Sequence, residues 1–353
     1  MNQNPDDQDW QEIITLRSPT EDRNPRTEEI DTLPSIDIVR LIAAEDCGVV
    51  AAVEATTVQI AKMVDLAVDA LASGGRVHYV GSGTSGRLGV LDAVELLPTF
   101  GVGEESFVAH LAGGHRAMMR AVEGAEDDVE LGRALAAEIR PGDLVVGLTA
   151  SGRTPYVGGV LQIACELGAR TALVSTNPFA ALAGGVDVAV LVNTGPEVVT
   201  GSTRMKAATA QKLVLNTFST ATMVRLGKTY SNLMIEVLPT NKKLKARTVR
   251  MLVQATGLDA GRCEVVLALA GDARTALVSL LADVDVPQAR AALEGFPPDP
   301  ARVLDPAGVR NAAKAARDTA VGWAATGPDS TDASGPDERR TLVTGSTGPR
   351  HTG

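Results

Sequence analysis

The chain has 353 residues, of which 44% are apolar and only 3% aromatic, and its formal net charge is -10. This length suffices for one large α/β domain and a smaller one, with a core of Ala, Val, Leu and Ile. The negative charge argues against nucleic-acid binding, which needs clustered Lys and Arg. The polar N-terminus, the lack of an apolar run of ~20 residues and the scattered cysteines predict a cytoplasmic protein that neither spans a membrane nor binds a metal.

Changes in composition divide the chain into five segments. In order, we interpret them as a polar N-terminal arm, a pair of helices, a central domain, a small helical domain rich in Ala, Leu and Arg, and a largely disordered tail rich in Gly, Thr and Ser. Their predicted bounds are 1–34, 35–74, 75–230, 231–310 and 311–353.

Within the central domain, short apolar runs alternate with stretches of helical periodicity. The runs lie at 76–83, 107–113, 143–151, 170–178 and 186–195. The stretch after the second run is predicted to be helical to about residue 139. Strands separated by helices form right-handed crossovers, so the pattern predicts an α/β fold with a five-stranded parallel sheet flanked by helices.

Three of the predicted strands end in turns rich in Gly, Ser and Thr. Glycines let backbone N–H groups close around an anion, hydroxyls add donors, and a helix that begins at the turn adds its positive dipole end. Ligands of parallel sheets bind at the carboxyl ends of the strands, so two such turns on neighbouring strands favour a phosphate site over simple helix capping. The predicted substrate-binding residues are Ser82, Gly83, Thr84 and Ser85 in the first turn, Thr149, Ser151, Gly152, Arg153 and Thr154 in the second, and Glu197, Ser202, Thr203 and Lys206 in the third.

The glycines at 81–86 also match a dinucleotide-binding fingerprint. That fold places an acidic residue at the end of the second strand, where it holds a ribose. Here the second strand ends in Leu-Ala-Gly-Gly at 111–114, and the nearest acidic residues precede the strand. A sugar phosphate therefore fits the turns better than NAD does.

The turns resemble those of the sugar isomerase (SIS) family, whose members bind phosphosugars. Longer blocks are similar to the N-acetylmuramic acid 6-phosphate etherase family, among them YVGSGTSGRLGVLDAVELLPTFGV, VVGLTASGRTPYV and GPEVVTGSTRMKAATAQKLVLNTFST. The similarity covers roughly residues 20–300. It implies a carbon–oxygen lyase of peptidoglycan recycling that needs no cofactor and converts N-acetylmuramic acid 6-phosphate to N-acetylglucosamine 6-phosphate and D-lactate.

The resemblance also implies how the ether bond breaks. The sugar ring opens to the aldehyde, removal of the C2 proton expels lactate from C3, and water then adds across the double bond. By resemblance, Glu95 is the acid that assists lactate departure, Glu126 is the base at C2, and Glu197 has a supporting role. From the residues alone, Glu95 on an amphipathic helix and Glu126 in an acidic run would be interpreted as solvated charges.

Ser85 and Glu95 lie ten residues apart on one predicted helix, which separates them by about 15 Å. One hexose phosphate does not span that distance, so either the helix breaks early or Glu95 reaches the sugar bound by a second subunit. We favour a homodimer with shared active sites. Two other functions stay open, a phosphosugar-binding regulator such as the glucokinase regulatory protein and an aldose–ketose phosphosugar isomerase, neither of which releases lactate.

Overall fold

The computed structural model describes residues 17–236, 242–296 and 308–325. Its strands are β1 (Val77–Gly81), β2 (Phe107–Leu111), β3 (Leu144–Thr149), β4 (Arg170–Ser175) and β5 (Val188–Leu191). They form a five-stranded parallel sheet with the order β2-β1-β3-β4-β5. The predicted five-stranded parallel α/β fold is therefore confirmed.

Helices precede, connect and follow these strands. Before the sheet come α1 (Ser35–Glu54) and α2 (Thr57–Ala72). The connecting helices are α3 (Gly83–Phe100), α4 (Arg116–Met119), α5 (Val129–Arg133) and α6 (Pro155–Glu166), and β5 leads to the long helix α7 (Lys206–Arg225). After a short hairpin of β6 (Thr229–Tyr230) and β7 (Leu233–Met234) come α8 (Lys242–Thr256), α9 (Ala260–Ala270), α10 (Ala273–Ala282), α11 (Val286–Gly295) and α12 (Gly308–Ala325).

The sheet is buried on both faces. Successive side chains of each strand point to opposite faces, so neighbouring residues pack into different cores. Tyr79 packs into a core shared with helices α2, α3 and α7. Its neighbour Val80 packs into a second core shared with α6. Strands covered on both faces need apolar residues throughout, which explains why they were visible in the sequence as short continuous runs.

The segment between β2 and β3 differs from its prediction. The prediction of a long helix to about residue 139 is wrong for residues 120–128, which form turns between α4 and α5. Gly124 adopts a positive φ of 75°, which an α-helix does not accommodate. Asp128 then starts a new helix, because its side chain accepts a hydrogen bond from the N–H of Leu131. Glu126 therefore lies in a turn rather than on a helix.

Helices α8 to α12 form a core of their own. Helix α12 continues past residue 310, where the sequence predicts the tail to begin, and its buried Val309, Ala312 and Ala316 pack into this core. The predicted tail beyond residue 325 lies outside the described residues. Among the helices described, none is long and apolar enough to cross a membrane.

Residues 17–33 lie along the carboxyl edge of the sheet. The hydroxyl of Thr27 donates to the carbonyl oxygen of Val198 at 2.8 Å. The N–H of Gly201 donates to the carbonyl oxygen of Thr20 at 2.9 Å. Both bonds reach the turn after β5, so this part of the predicted arm packs against that turn.

A buried carboxylate, Glu45 of α1, ties this N-terminal segment to helix α7. It accepts hydrogen bonds from Asn24 at 2.9 Å and from the guanidinium of Arg26 at 2.5 and 2.8 Å. The ammonium of Lys206, also buried, lies 2.9 Å from the same carboxylate. The hydrogen bond from Arg26, followed by those from Lys206 and Asn24, lowers the pKa of Glu45 to about 2 against the opposing effect of burial. Glu45 therefore holds three parts of the chain together.

Two histidines and an aspartate form a buried chain beside the sheet. His78 Nδ1 lies 2.9 Å from His110 Nε2, and His78 Nε2 lies 3.1 Å from Asp143 Oδ2. Burial lowers the pKa of His78, and it lowers that of His110 to about 4. Both rings are therefore neutral at pH 7. His78 is therefore a histidine of the protein core.

Candidate active site

The two glycine- and hydroxyl-rich turns lie at the point where the strand order reverses. The chain runs from β1 outward to β2 and then returns to the other side of β1 to form β3. Helices leave the carboxyl ends of β1 and β3 on opposite faces, which opens a crevice between these strands. The turns at 82–85 and 149–154 border this crevice.

The first turn leads directly into helix α3. Ser82 precedes the helix, and its side chain makes no capping hydrogen bond. The leading N–H groups of a helix have no intrahelical partner, so they are available to an anion. A Cβ at Gly86 would lie 2.5 Å from the carbonyl oxygen of Gly81, which is closer than real contacts allow. Glycine at 86 therefore lets the helix start close against the strand.

The second turn is held by its own hydroxyls. Thr149 Oγ1 lies 2.7 Å from Thr154 Oγ1 and accepts the N–H of Gly152 at 3.2 Å. Gly152 has a φ of 74°, and a Cβ there would lie 2.2 Å from the Cβ of Ala180, so only glycine fits. Arg153 follows, and its Nη1 is buried without a hydrogen-bond partner among the described residues. A guanidinium nitrogen in that state is suited to an anionic ligand.

Glu126 bonds to the first turn and to helix α6, which follows the second turn. Its Oε2 accepts a hydrogen bond from the Ser82 hydroxyl at 3.3 Å. Its carbonyl oxygen accepts the N–H of Tyr156, in the first turn of α6, at 2.9 Å. A cavity of about 250 Å³ opens beside the Glu126 carboxylate, lined by residues of the first turn, by Arg87 and by residues 121–126. The structure thus brings together a predicted catalytic residue and the start of the predicted phosphate site.

Glu95 lies elsewhere in the chain. It is exposed on α3, which runs unbroken from Gly83 to Phe100, so an early break in the helix does not bring it to the first turn. It lines a different cavity of about 250 Å³ between α3 and α7, whose other lining residues are Leu88, Leu91, Asp92, Lys212, Leu215 and Asn216. Within one described chain, the two predicted catalytic glutamates thus line separate cavities.

A buried polar network that the sequence analysis missed lies behind this second cavity. The carboxylate of Asp92 accepts hydrogen bonds from Tyr79 at 2.9 Å, Asn216 at 2.8 Å and Ser219 at 3.2 Å. Burial raises the pKa of Asp92, and the three donors oppose that effect. The network joins α3 to both β1 and α7, so it fixes the cavity wall on which Glu95 stands. The signal in the sequence was an aspartate on the apolar side of an amphipathic helix.

The third predicted turn has its polar groups engaged inside the protein. The buried carboxylate of Glu197 accepts the N–H groups of Lys206 at 3.0 Å and Ala207 at 2.9 Å, and so caps α7. Burial raises the pKa of Glu197, against the effect of these two N–H groups. The Lys206 ammonium pairs with Glu45, while Ser202 and Thr203 are half-buried in the turn. None of these four lines the cavity beside Glu126 in the described chain, and their contact with substrate stays a prediction.

The fold and these turns define an α/β protein with glycine- and hydroxyl-rich turns at a switch point of its sheet, the position at which such folds bind small ligands. The family model for the glucokinase regulatory protein N-terminal SIS domain matches residues 59–165. An N-acetylmuramic acid 6-phosphate etherase of Thermobifida fusca is 58% identical over 76% of this chain and 89% of its own length. One of Mesorhizobium japonicum is 50% identical over 78% of this chain and 90% of its own. Among solved structures, a phosphoheptose isomerase from Francisella tularensis aligns with 54% of this chain and 98% of its own at 18% identity and a TM-score of 0.41.

The chain belongs to the N-acetylmuramic acid 6-phosphate etherase family, since relatives at 50% identity or more cover over two thirds of it.

Proposed function

We propose that this protein cleaves the D-lactyl ether of N-acetylmuramic acid 6-phosphate in the cytoplasm, by elimination followed by addition of water. The observation that carries the proposal is the position of Glu126, whose carboxylate accepts a hydrogen bond from Ser82 of the first turn and lines a cavity, and whose main-chain carbonyl is bonded to the helix that follows the second turn. A base in that position faces the carbon skeleton of a sugar whose phosphate the turns hold. Family membership supplies the substrate class.

The ligand's phosphate would lie between the first turns of helices α3 and α6. Ser82 to Ser85 offer backbone N–H groups and hydroxyls from one side, and Ser151 and Thr154 offer hydroxyls from the other. Donors fixed before the ligand arrives lose little freedom on binding, so they hold the sugar in one orientation. We propose that this orientation brings C2 of the open-chain sugar next to Glu126.

Each step conserves atoms and electrons. The Glu126 carboxylate takes the C2 proton, which the C1 aldehyde acidifies, and the electron pair of that bond forms the C2–C3 double bond. The C3–O bond breaks, and the oxygen that leaves with D-lactate takes a proton from Glu95. Water then adds its hydroxyl to C3 while a proton returns to C2, giving N-acetylglucosamine 6-phosphate.

We propose that the acid comes from a second copy of the chain, since Glu95 and Glu126 line separate cavities of one copy. Around Glu95, the apolar side chains of Leu91, Val94 and Leu97 are more than half exposed. Exposed apolar side chains clustered on one helix mark an interaction surface. A homodimer that covers this stripe of α3 would bring Glu95 of one copy to the sugar held by the other.

The test is release of D-lactate from purified N-acetylmuramic acid 6-phosphate, followed with a lactate dehydrogenase specific for the D-enantiomer. We expect one D-lactate and one N-acetylglucosamine 6-phosphate for each substrate consumed, because elimination and hydration together add one water. In ¹⁸O-labelled water the label should enter the sugar at C3 and not the lactate, since the C3–O bond is the one that breaks. Binding of phosphosugars without lactate release would instead support a regulator, and interconversion of phosphosugars would support an isomerase.

A further inference from the structure

The cavity lined by Glu95 is also lined by a cation that has no partner among the described residues. Lys212 of α7 lines it from the side opposite α3. Its ammonium makes no ion pair within the described part of the chain, either with Glu95 or with another carboxylate. An ammonium and a carboxyl thus face a shared space of about 250 Å³.

The position of Lys212 is fixed by the helix it stands on. Asn216, one turn further along the same face of α7, donates to the buried Asp92 at 2.8 Å. Asp92 lies one turn before Glu95 on α3, so this bond sets the spacing of the two helices at the cavity. Ser219 and Tyr79 hold the same carboxylate from two further directions. Asp92 is therefore a positioning residue for both cavity-lining groups.

The proposed substrate carries two negative charges at opposite ends of the reacting region. Its phosphate is accounted for by the turns at 82–85 and 149–154. The second charge is the carboxylate of the lactyl group, which is attached to the oxygen that Glu95 would protonate. A group that protonates this oxygen lies within a few ångströms of that carboxylate, and burial of a carboxylate at an interface without a partner is costly.

Resting on the proposed function, we propose that Lys212 binds the carboxylate of the lactyl leaving group, in the same subunit that supplies Glu95. The ammonium donates charge-assisted hydrogen bonds to the carboxylate. It thereby fixes the ether oxygen against the Glu95 carboxyl and selects substrates with an acidic substituent at C3. The neutral apolar wall of Leu88, Leu91 and Leu215 leaves room for the methyl group of lactate.

The experiment compares Lys212→Met with wild type on two substrates, N-acetylmuramic acid 6-phosphate and its analogue with the lactyl carboxylate converted to the carboxamide. We expect Lys212→Met to lower kcat/KM for the natural substrate about 10- to 100-fold, the loss of a hydrogen bond to a charged group. The carboxamide offers no charge to lose, so its kcat/KM should change by less than about threefold. Lys212→Arg keeps the cation and should retain most of the natural activity.

Lys62→Met serves as the matched control, because Lys62 is also an exposed helical lysine without an ion pair in the described chain and lies on α2, where it does not line the cavity. It should behave as wild type with both substrates. An equal loss with acid and carboxamide in Lys212→Met, or no loss with either, would overturn the carboxylate site while leaving the etherase intact. Wild-type protein that releases no D-lactate would overturn the proposed function itself and this site with it.

Discussion

Two inactive variants are expected to restore each other's activity when their subunits exchange. Glu95→Ala removes the acid, and Ser151→Asp places a negative charge where the phosphate would bind, so each parent should lose about a thousandfold in kcat. In a mixed dimer, the turns of the Glu95→Ala copy meet Glu95 of the other copy and form one complete site. Random exchange makes about half of the dimers mixed, so recovery should approach about a quarter of wild-type activity.

A second pair of variants serves as the control for this mixing experiment. Glu126→Gln and Ser151→Asp both damage the half-site formed by the turns of one copy, because Glu126 bonds to Ser82 and Tyr156 of its own chain. A mixture of these two therefore contains no complete site and should stay inactive. Native mass spectrometry establishes that subunits have exchanged. If exchange is complete and the first pair stays inactive, Glu95 does not act across a subunit boundary.

Replacement of Glu45 by alanine is expected to cause the largest loss of stability. The change leaves the ammonium of Lys206 buried without its carboxylate, and it also removes the acceptor for Asn24 and Arg26. Removal of one partner from a buried ion pair costs about 3–5 kcal/mol in the free energy of unfolding. Urea denaturation measures this loss in the free energy of unfolding. Glu54→Ala, an exposed glutamate of the same helix, should stay within about 0.5 kcal/mol of wild type.

The stability of wild type and of Glu45→Ala should also respond differently to acid. The pKa of Glu45 falls from its ordinary 4.5 to about 2 on folding, so its contribution is complete above pH 4.5 and is lost as the pH falls towards 2. That contribution amounts to about 3 kcal/mol. Wild type should therefore lose more stability than Glu45→Ala over this range. Parallel pH profiles of the two proteins would contradict the role assigned to Glu45.

The sheet and its turns were predictable because their signals are local. A strand such as β3 is covered on both faces and therefore needs a continuous apolar run, and Gly152 marks a turn that no other residue could form. Each of these two signals, the apolar run and the turn glycine, is contained in fewer than ten consecutive residues. They predict a phosphate site without any knowledge of distant contacts.

The features that sequence reasoning missed depend on partners far along the chain. Glu45 and Lys206 are 161 residues apart, and Asp92 and Asn216 are 124 apart, so neither spacing carries a pattern. The turn that holds Glu126 was hidden because its acidic residues are compatible with a solvated helix, and Gly124 was the single sign of a break. Those long-range pairs emerge only when the sheet stacks α1, α3 and α7 on one face.

The histidine chain bears on how Glu126 is anchored. Strand β2 lies at the edge of the sheet, where a ladder on one side alone would let it fray. His110 of this strand is clamped through His78 to Asp143, whose carboxylate also accepts the N–H groups of Arg76 and Arg140. Strand β2 can therefore separate from β1 only if the hydrogen bonds of the histidine chain break together with the backbone hydrogen bonds between the strands. The segment that leaves β2 towards Glu126 consequently starts from a strand that side-chain hydrogen bonds hold in place.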